Sequence, residues 1–166
     1  MHDWSSAHLT QAYYDYRMFL RINNDEVEDA QKIYFLQKMS EKAAQSYLTD
    51  GSSPPAKDHQ SMLRFIRAVK TDQLLKTRIA RRMKVRDFLK KVSRIEAFAK
   101  ELHRLIPLNE QTANCEYPWK DRDGIIRVPS ETRFHILRPE QAPLLRKYMA
   151  LFEMWFAASG FQIGEN

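Results

Sequence analysis

The chain has 166 residues, 43% of them hydrophobic, which is enough for a substantial buried core. We therefore expect a single domain that spans residues 1–166. A single cysteine, Cys115, excludes an intramolecular disulfide and a cysteine-rich zinc site, and it fits a reducing, cytoplasmic location. The N-terminus lacks the features of a signal peptide, and the longest apolar stretch is too short to span a bilayer, so we expect a cytoplasmic protein outside the membrane.

The net charge of +6 is distributed unevenly along the chain. Residues 64–104 contain 14 Lys and Arg against four Asp and Glu, whereas the rest of the chain contains 13 basic and 17 acidic residues. This asymmetry predicts a polyanion or an acidic protein as the partner.

Residues 25–48 contain no Gly or Pro and are apolar around most of the helical circumference, with Tyr34 in the broad apolar half. A helix apolar on nearly all sides is a buried one, so this segment is predicted to be the central helix. Asn24 and Asp25 supply its predicted capping residues. Three polar residues in the apolar half then require hydrogen-bond partners: Gln37, Ser40 and Glu41.

Four further segments have helical spacing: residues 5–22 with Ser5 or Ser6 as the N-cap, 57 or 58–70, 71–106 with Asp72 as a capping residue, and 139–160. The segment 71–106 is expected to be interrupted within residues 70–75 or near Arg86. Its second half spaces apolar residues alternately by three and four, which predicts a packing seam over residues 85–106.

Residues 71–91, the basic helical limb, have few apolar residues and many cations. Lysine and arginine on one helix can neutralise phosphates, and arginine can bind a phosphate in bidentate fashion. Alternatively, these cations bind no phosphate and form a solvated helix surface, whose charge balances acidic groups elsewhere in the same molecule or in a dimer. The candidate nucleic-acid-binding residues are Arg78, Arg81, Arg82, Lys84, Arg86 and Lys90.

Residues 107–138, the irregular excursion, lack helical spacing. Asp123 and Gly124 lie between residues 119–122 and 125–128, an arrangement that predicts a small β-hairpin. Tyr117, Trp119 and Arg122 can stack on a nucleotide base, or they can attach the excursion to the helices. The pattern as a whole predicts an all-α antiparallel bundle of about five helices with one excursion before the last helix.

Three short segments resemble the HEPN superfamily (higher eukaryotes and prokaryotes nucleotide-binding domains). They are Ser-Glu-Lys-Ala-Ala at residues 40–44, Asp-His-Gln-Ser-Met-Leu at residues 58–63, and Cys-Glu-Tyr-Pro at residues 115–118. The resemblance implies a nucleotide- or RNA-binding helical domain, often a homodimer, that acts beside a nucleotidyltransferase or in a toxin–antitoxin pair.

Catalytic members of that superfamily cut RNA with an Arg followed, after four to six residues, by a His. His103 and His135 have upstream arginines at longer spacings, and Glu116 stands where the family often has Arg. We therefore expect a non-catalytic member and assign no catalytic residue.

Under the resemblance, Glu41 and Lys42 lie near His59 and line a nucleotide- or phosphate-binding site. Lys38 and Lys42 are one helical turn apart and can hold one phosphate. Alternatively, Glu41 and His59 form a buried hydrogen-bonded pair without a ligand, and Lys38 and Lys42 are ordinary surface lysines. No spacing of histidines or carboxylates indicates a metal, and no motif indicates a cofactor.

The leading hypothesis is a non-catalytic nucleotide- or RNA-binding module. One alternative is a helical adaptor that binds an acidic protein, with homodimer contacts along residues 85–106. The other is a divergent, metal-independent RNase that uses His59, His103 or His135.

Overall fold

A computed structural model describes residues 3–23, 26–49, 52, 60–80, 85–106 and 113–163, including all side chains except those of residues 85 and 86. These ranges contain six α-helices: α1 (Trp4–Asn23), α2 (Asp29–Leu48), α3 (Ser61–Thr71), α4 (Gln73–Ile79), α5 (Val85–Arg104) and α6 (Ala142–Ala158). The predicted all-α bundle is confirmed. It has an additional helix because the segment predicted over residues 71–106 is divided into α4 and α5.

Helix α2 occupies the centre, as predicted, and packs against α1, α3 and α5. Helices α1 and α2 are antiparallel, since Ser5 Oγ donates to the Ser46 carbonyl at 2.5 Å whereas Lys42 Nζ reaches Asp15 further along α1. The core face of α2 consists of fully buried apolar side chains: Ile33, Leu36, Met39, Ala43 and Ala44.

The predicted start of the central helix is wrong by four residues, because α2 begins at Asp29. The Asp29 carboxylate lies in the first turn, where it stabilises the helix dipole. It also accepts a hydrogen bond of 3.0 Å from the backbone N–H of Phe134 in the excursion. Asp29 is therefore both the first residue of α2 and a point at which the excursion is attached to the bundle.

The predicted serine caps of α1 are likewise wrong. Asp3 Oδ1 accepts from the backbone N–H of Ser6 at 2.7 Å, so Asp3 supplies the cap. The Ser5 hydroxyl donates to α2 instead, and Ser6 Oγ donates to the Asp3 carbonyl at 3.1 Å.

Asp72 separates α3 from α4 and caps α4, as predicted, by accepting from the N–H groups of Leu74 at 2.8 Å and Leu75 at 3.1 Å. The seam of α5 is buried in the core of the same chain, and it is therefore unavailable for the homodimer contacts predicted along it. Its buried members are Phe88, Val92, Ile95, Ala99 and Leu102.

The predicted hairpin is present as β1 (Trp119–Lys120) and β2 (Ile126–Arg127), with Trp119 paired with Arg127. Gly124 has a φ of 80°, which favours glycine in the turn. Trp119 and Phe134, whose ring centroids are 6.2 Å apart, are both buried in the hydrophobic core formed with the helices, and they therefore attach the excursion to the bundle. The excursion thus places residues 114–117 beside α2.

Candidate functional site

Lys38 and Lys42, the lysines predicted to hold one phosphate, have different partners. Lys38 Nζ is 3.9 Å from Glu116 Oε1 and 5.3 Å from the ring centroid of Tyr34. Lys42 Nζ donates to Asp15 Oδ2 at 2.8 Å in the contact between α1 and α2. Lys42 is therefore paired with α1, whereas Lys38 lies beside the excursion, and the joint phosphate site stays a prediction.

Lys42 belongs to a charged cluster between α1 and α2. Its partner Asp15 is buried, at 7% exposure. Burial, reinforced by Lys42 and opposed by Glu41, lowers the pKa of His8 below its usual 6.5. The Nε2 atom of His8 is buried without a hydrogen-bond partner among the described residues. Glu41 and Lys42 thus act on a histidine of α1, whereas His59, their predicted partner, lies outside the described residues.

Helix α4, the first described part of the basic helical limb, packs against α3 and α6, with its own Leu75 and Ile79 buried. The Arg78 guanidinium lies 4.7 Å from the ring centroid of Trp155, and its Nη2 donates to Ser159 Oγ at 3.3 Å. Arg78 is therefore partly engaged in packing. Lys90 is exposed on α5, Arg86 belongs to α5 without a described side chain, and the remaining predicted cations lie outside the described residues: Arg81, Arg82 and Lys84.

A cleft of about 310 Å³ lies between α2 and the excursion. We call it the Tyr34–Tyr117 cleft, after its two most exposed rings, which are 38% and 60% exposed. Lys38 contacts two of the lining residues and therefore lies at the rim. The lining residues are Ala30, Gln31 and Tyr34 from α2, and Cys115, Glu116 and Tyr117 from the excursion.

Buried polar groups hold the excursion side of the cleft in place. The side chain of Asn114, a residue only 1% exposed, accepts through Oδ1 from the N–H groups of Glu116 at 3.0 Å and Tyr117 at 2.7 Å. The Cys115 thiol donates to Gln37 Oε1 at 3.2 Å, and burial raises its pKa to about 12. The excursion side of the cleft is therefore held in place by contacts within the protein, which lowers the entropic cost of binding.

The cleft combines aromatic faces with a hydrogen-bond donor and an acceptor. Tyr34 and Tyr117 offer rings on which a planar ligand can stack, Lys38 donates hydrogen bonds, and the Glu116 carboxylate accepts them. The sequence pattern gave Lys38 as a candidate phosphate-binding residue and left two roles open for Tyr117, stacking on a base or attachment of the excursion. It placed Tyr34 in the core and gave Glu116 no role. The spacing of Tyr34 and Lys38 by one helical turn was the available signal.

A second, larger cleft of about 690 Å³ lies at the start of α2 and is lined mainly by acidic and polar residues. Arg133 Nη1 is 3.9 Å from Asp29 Oδ1 there, a weak contact on the surface. Within the described part of the chain, no three His, Cys, Asp or Glu side chains are grouped so that they could hold a metal ion. In the same residues, no helix is both long and apolar enough to cross a membrane.

No protein-family model, curated protein or solved structure matches this chain. The HEPN resemblance therefore stays a prediction based on three short segments, of which Cys115–Pro118 contributes residues to the Tyr34–Tyr117 cleft.

Proposed function

We propose that this chain is a non-catalytic, HEPN-like nucleotide- or RNA-binding module in which a base stacks in the Tyr34–Tyr117 cleft. The observation that carries the proposal is the cleft itself, with two exposed tyrosine rings, a lysine and a carboxylate around about 310 Å³. That volume is at the lower end of the range for small-ligand sites and suits a single nucleoside. Stacking of a base on an aromatic side chain contributes about 1–3 kcal/mol.

The remaining affinity comes from cations near the phosphates. Lys38 is at the rim of the cleft, and exposed cations such as Lys90 attract the RNA backbone without regard to sequence. Arg78 contributes less, because its guanidinium already packs on Trp155. On the basis of the HEPN resemblance, the proposal includes a homodimer and a partner nucleotidyltransferase or toxin–antitoxin partner.

Binding of labelled single-stranded RNA, measured by fluorescence anisotropy at low and moderate salt, tests this function. Tyr117→Ala should weaken binding by on the order of tenfold, because it removes one stacking ring. Tyr14→Ala is the matched control, since Tyr14 on α1 is also 60% exposed but does not line the cleft. Equal affinity of the two variants would refute the proposal.

The adaptor alternative is favoured by a different surface, on the hairpin. Ile125 and Ile126 are 51% and 71% exposed, and Val128 is 37% exposed. Neighbouring exposed apolar side chains often mark protein-interaction sites. Reconstitution with a candidate acidic protein distinguishes the two functions: a stoichiometric complex lost with Ile126→Asp but retained with Tyr117→Ala supports the adaptor.

A further inference from the structure

The rim of the Tyr34–Tyr117 cleft places a donor beside an acceptor. Lys38 Nζ and Glu116 Oε1 are 3.9 Å apart, which is longer than a hydrogen bond. Their side chains are 31% and 25% exposed. At this separation and exposure, the ammonium and the carboxylate both keep hydrogen-bonding capacity for a ligand, and a carboxylate can accept two hydrogen bonds side by side.

The four bases differ in how well they complement a carboxylate beside an ammonium group. Guanine has two adjacent donors, N1–H and the N2 amino group, next to the O6 acceptor. Adenine and cytosine each combine one amino donor with an adjacent ring-nitrogen acceptor, which repels a carboxylate. Uracil has a single N–H between two carbonyl acceptors. Guanine alone can donate twice to Glu116 while its O6 accepts from Lys38.

We infer that the Tyr34–Tyr117 cleft selects guanine, with Glu116 reading N1–H and the N2 amino group and Lys38 reading O6. This inference rests on the proposed RNA-binding function and specifies its ligand. The tyrosine rings stack on any base, so they provide affinity without selection. The selection comes from Glu116, whose backbone Asn114 holds in place.

The experiment compares labelled pentanucleotides that differ only in the central base: UUGUU, UUAUU and UUIUU, in which inosine lacks the N2 amino group. The wild-type protein should bind UUGUU tighter than UUAUU by on the order of ten- to a hundredfold, the range for a bidentate contact. UUIUU should have intermediate affinity, because one of the two donors is missing. In the Glu116→Gln variant, the affinity for UUGUU should fall to that for UUAUU, and the affinity for UUAUU should not fall.

Glu140→Gln, at an exposed position outside the cleft, is the matched control and should keep the full preference for UUGUU. If the protein bound all three pentanucleotides equally well and binding still depended on Tyr117, the guanine preference would be overturned and the proposal of RNA binding would stand. A preference unchanged in Glu116→Gln would also overturn it. Absence of binding to every pentanucleotide would overturn both this inference and the proposed function.

Discussion

Asn114→Ala should release the segment that carries two residues of the cleft. The Asn114 side chain accepts from the N–H groups of Glu116 and Tyr117, and Asn114 is 1% exposed. A hydrogen bond contributes about 0.5–1.5 kcal/mol net, so the loss of two should cost about 1–3 kcal/mol of unfolding free energy. Most domains have a stability of about 5–15 kcal/mol, and the variant should therefore remain folded.

Urea unfolding gives the stability of this variant, and anisotropy gives its affinity for UUGUU. We expect a lower unfolding midpoint and at least about fivefold weaker binding, because the backbone positions of Glu116 and Tyr117 are no longer fixed. Asn114→Asp keeps an accepting oxygen, so it should lose stability by burying a carboxylate yet retain binding. Unchanged UUGUU binding in Asn114→Ala, or equal loss of binding in both variants, would refute this role of Asn114.

Three further predictions concern the groups around the cleft and in the core. Since the folded pKa of His8 is lowered from 6.5, the unfolded chain binds more protons as pH falls from about 7.5 to about 5.5. The wild type should therefore lose more stability over that range than His8→Gln in urea unfolding, and parallel losses would contradict the prediction. Tyr148→Phe should cost about 1 kcal/mol, because the buried hydroxyl donates to Ser40 Oγ at 2.6 Å. Ser40→Ala should cost more, about 1–3 kcal/mol, because the buried Tyr148 hydroxyl then keeps only a weak acceptor, Met62 Sδ at 2.8 Å; the reverse order in urea unfolding would show the reasoning wrong. With its pKa raised to about 12, Cys115 should resist iodoacetamide in the native protein and react in urea, as measured by mass spectrometry. Equally rapid labelling in both states would disprove that protection.

Helical spacing predicted the elements well because burial in this fold follows local sequence. Ile33, Leu36, Met39 and Ala43 are spaced by three or four residues, and all four are fully buried in α2. The start of α2 was predicted less well, since the residues around it also contact a distant part of the chain. The carboxylate of Asp29, the first residue of α2, accepts a hydrogen bond from Phe134 of the excursion.

The cleft was only partly predictable, because its two sides come from distant parts of the chain. Tyr34 has an apolar side chain on a helix that is apolar on most sides, so its spacing indicated core. It lines the cleft because the excursion turns back along α2 and places Glu116 and Tyr117 next to it. That turn depends on Asn114 and on the buried ring of Trp119, and a periodic pattern contains no information about either contact.

Charge counts in the sequence overstated the cations available to a polyanion. Lys42 is paired with Asp15 at 2.8 Å, and the Arg78 guanidinium packs on Trp155 at 4.7 Å. A cation that already has a partner must give it up before it can bind a phosphate, so its net contribution is small. Lys38 differs, because its 3.9 Å contact with Glu116 is too long for a hydrogen bond and lies beside stacking rings. The free hydrogen-bonding capacity at this rim, more than the net charge of +6, therefore distinguishes the cleft as the candidate binding site.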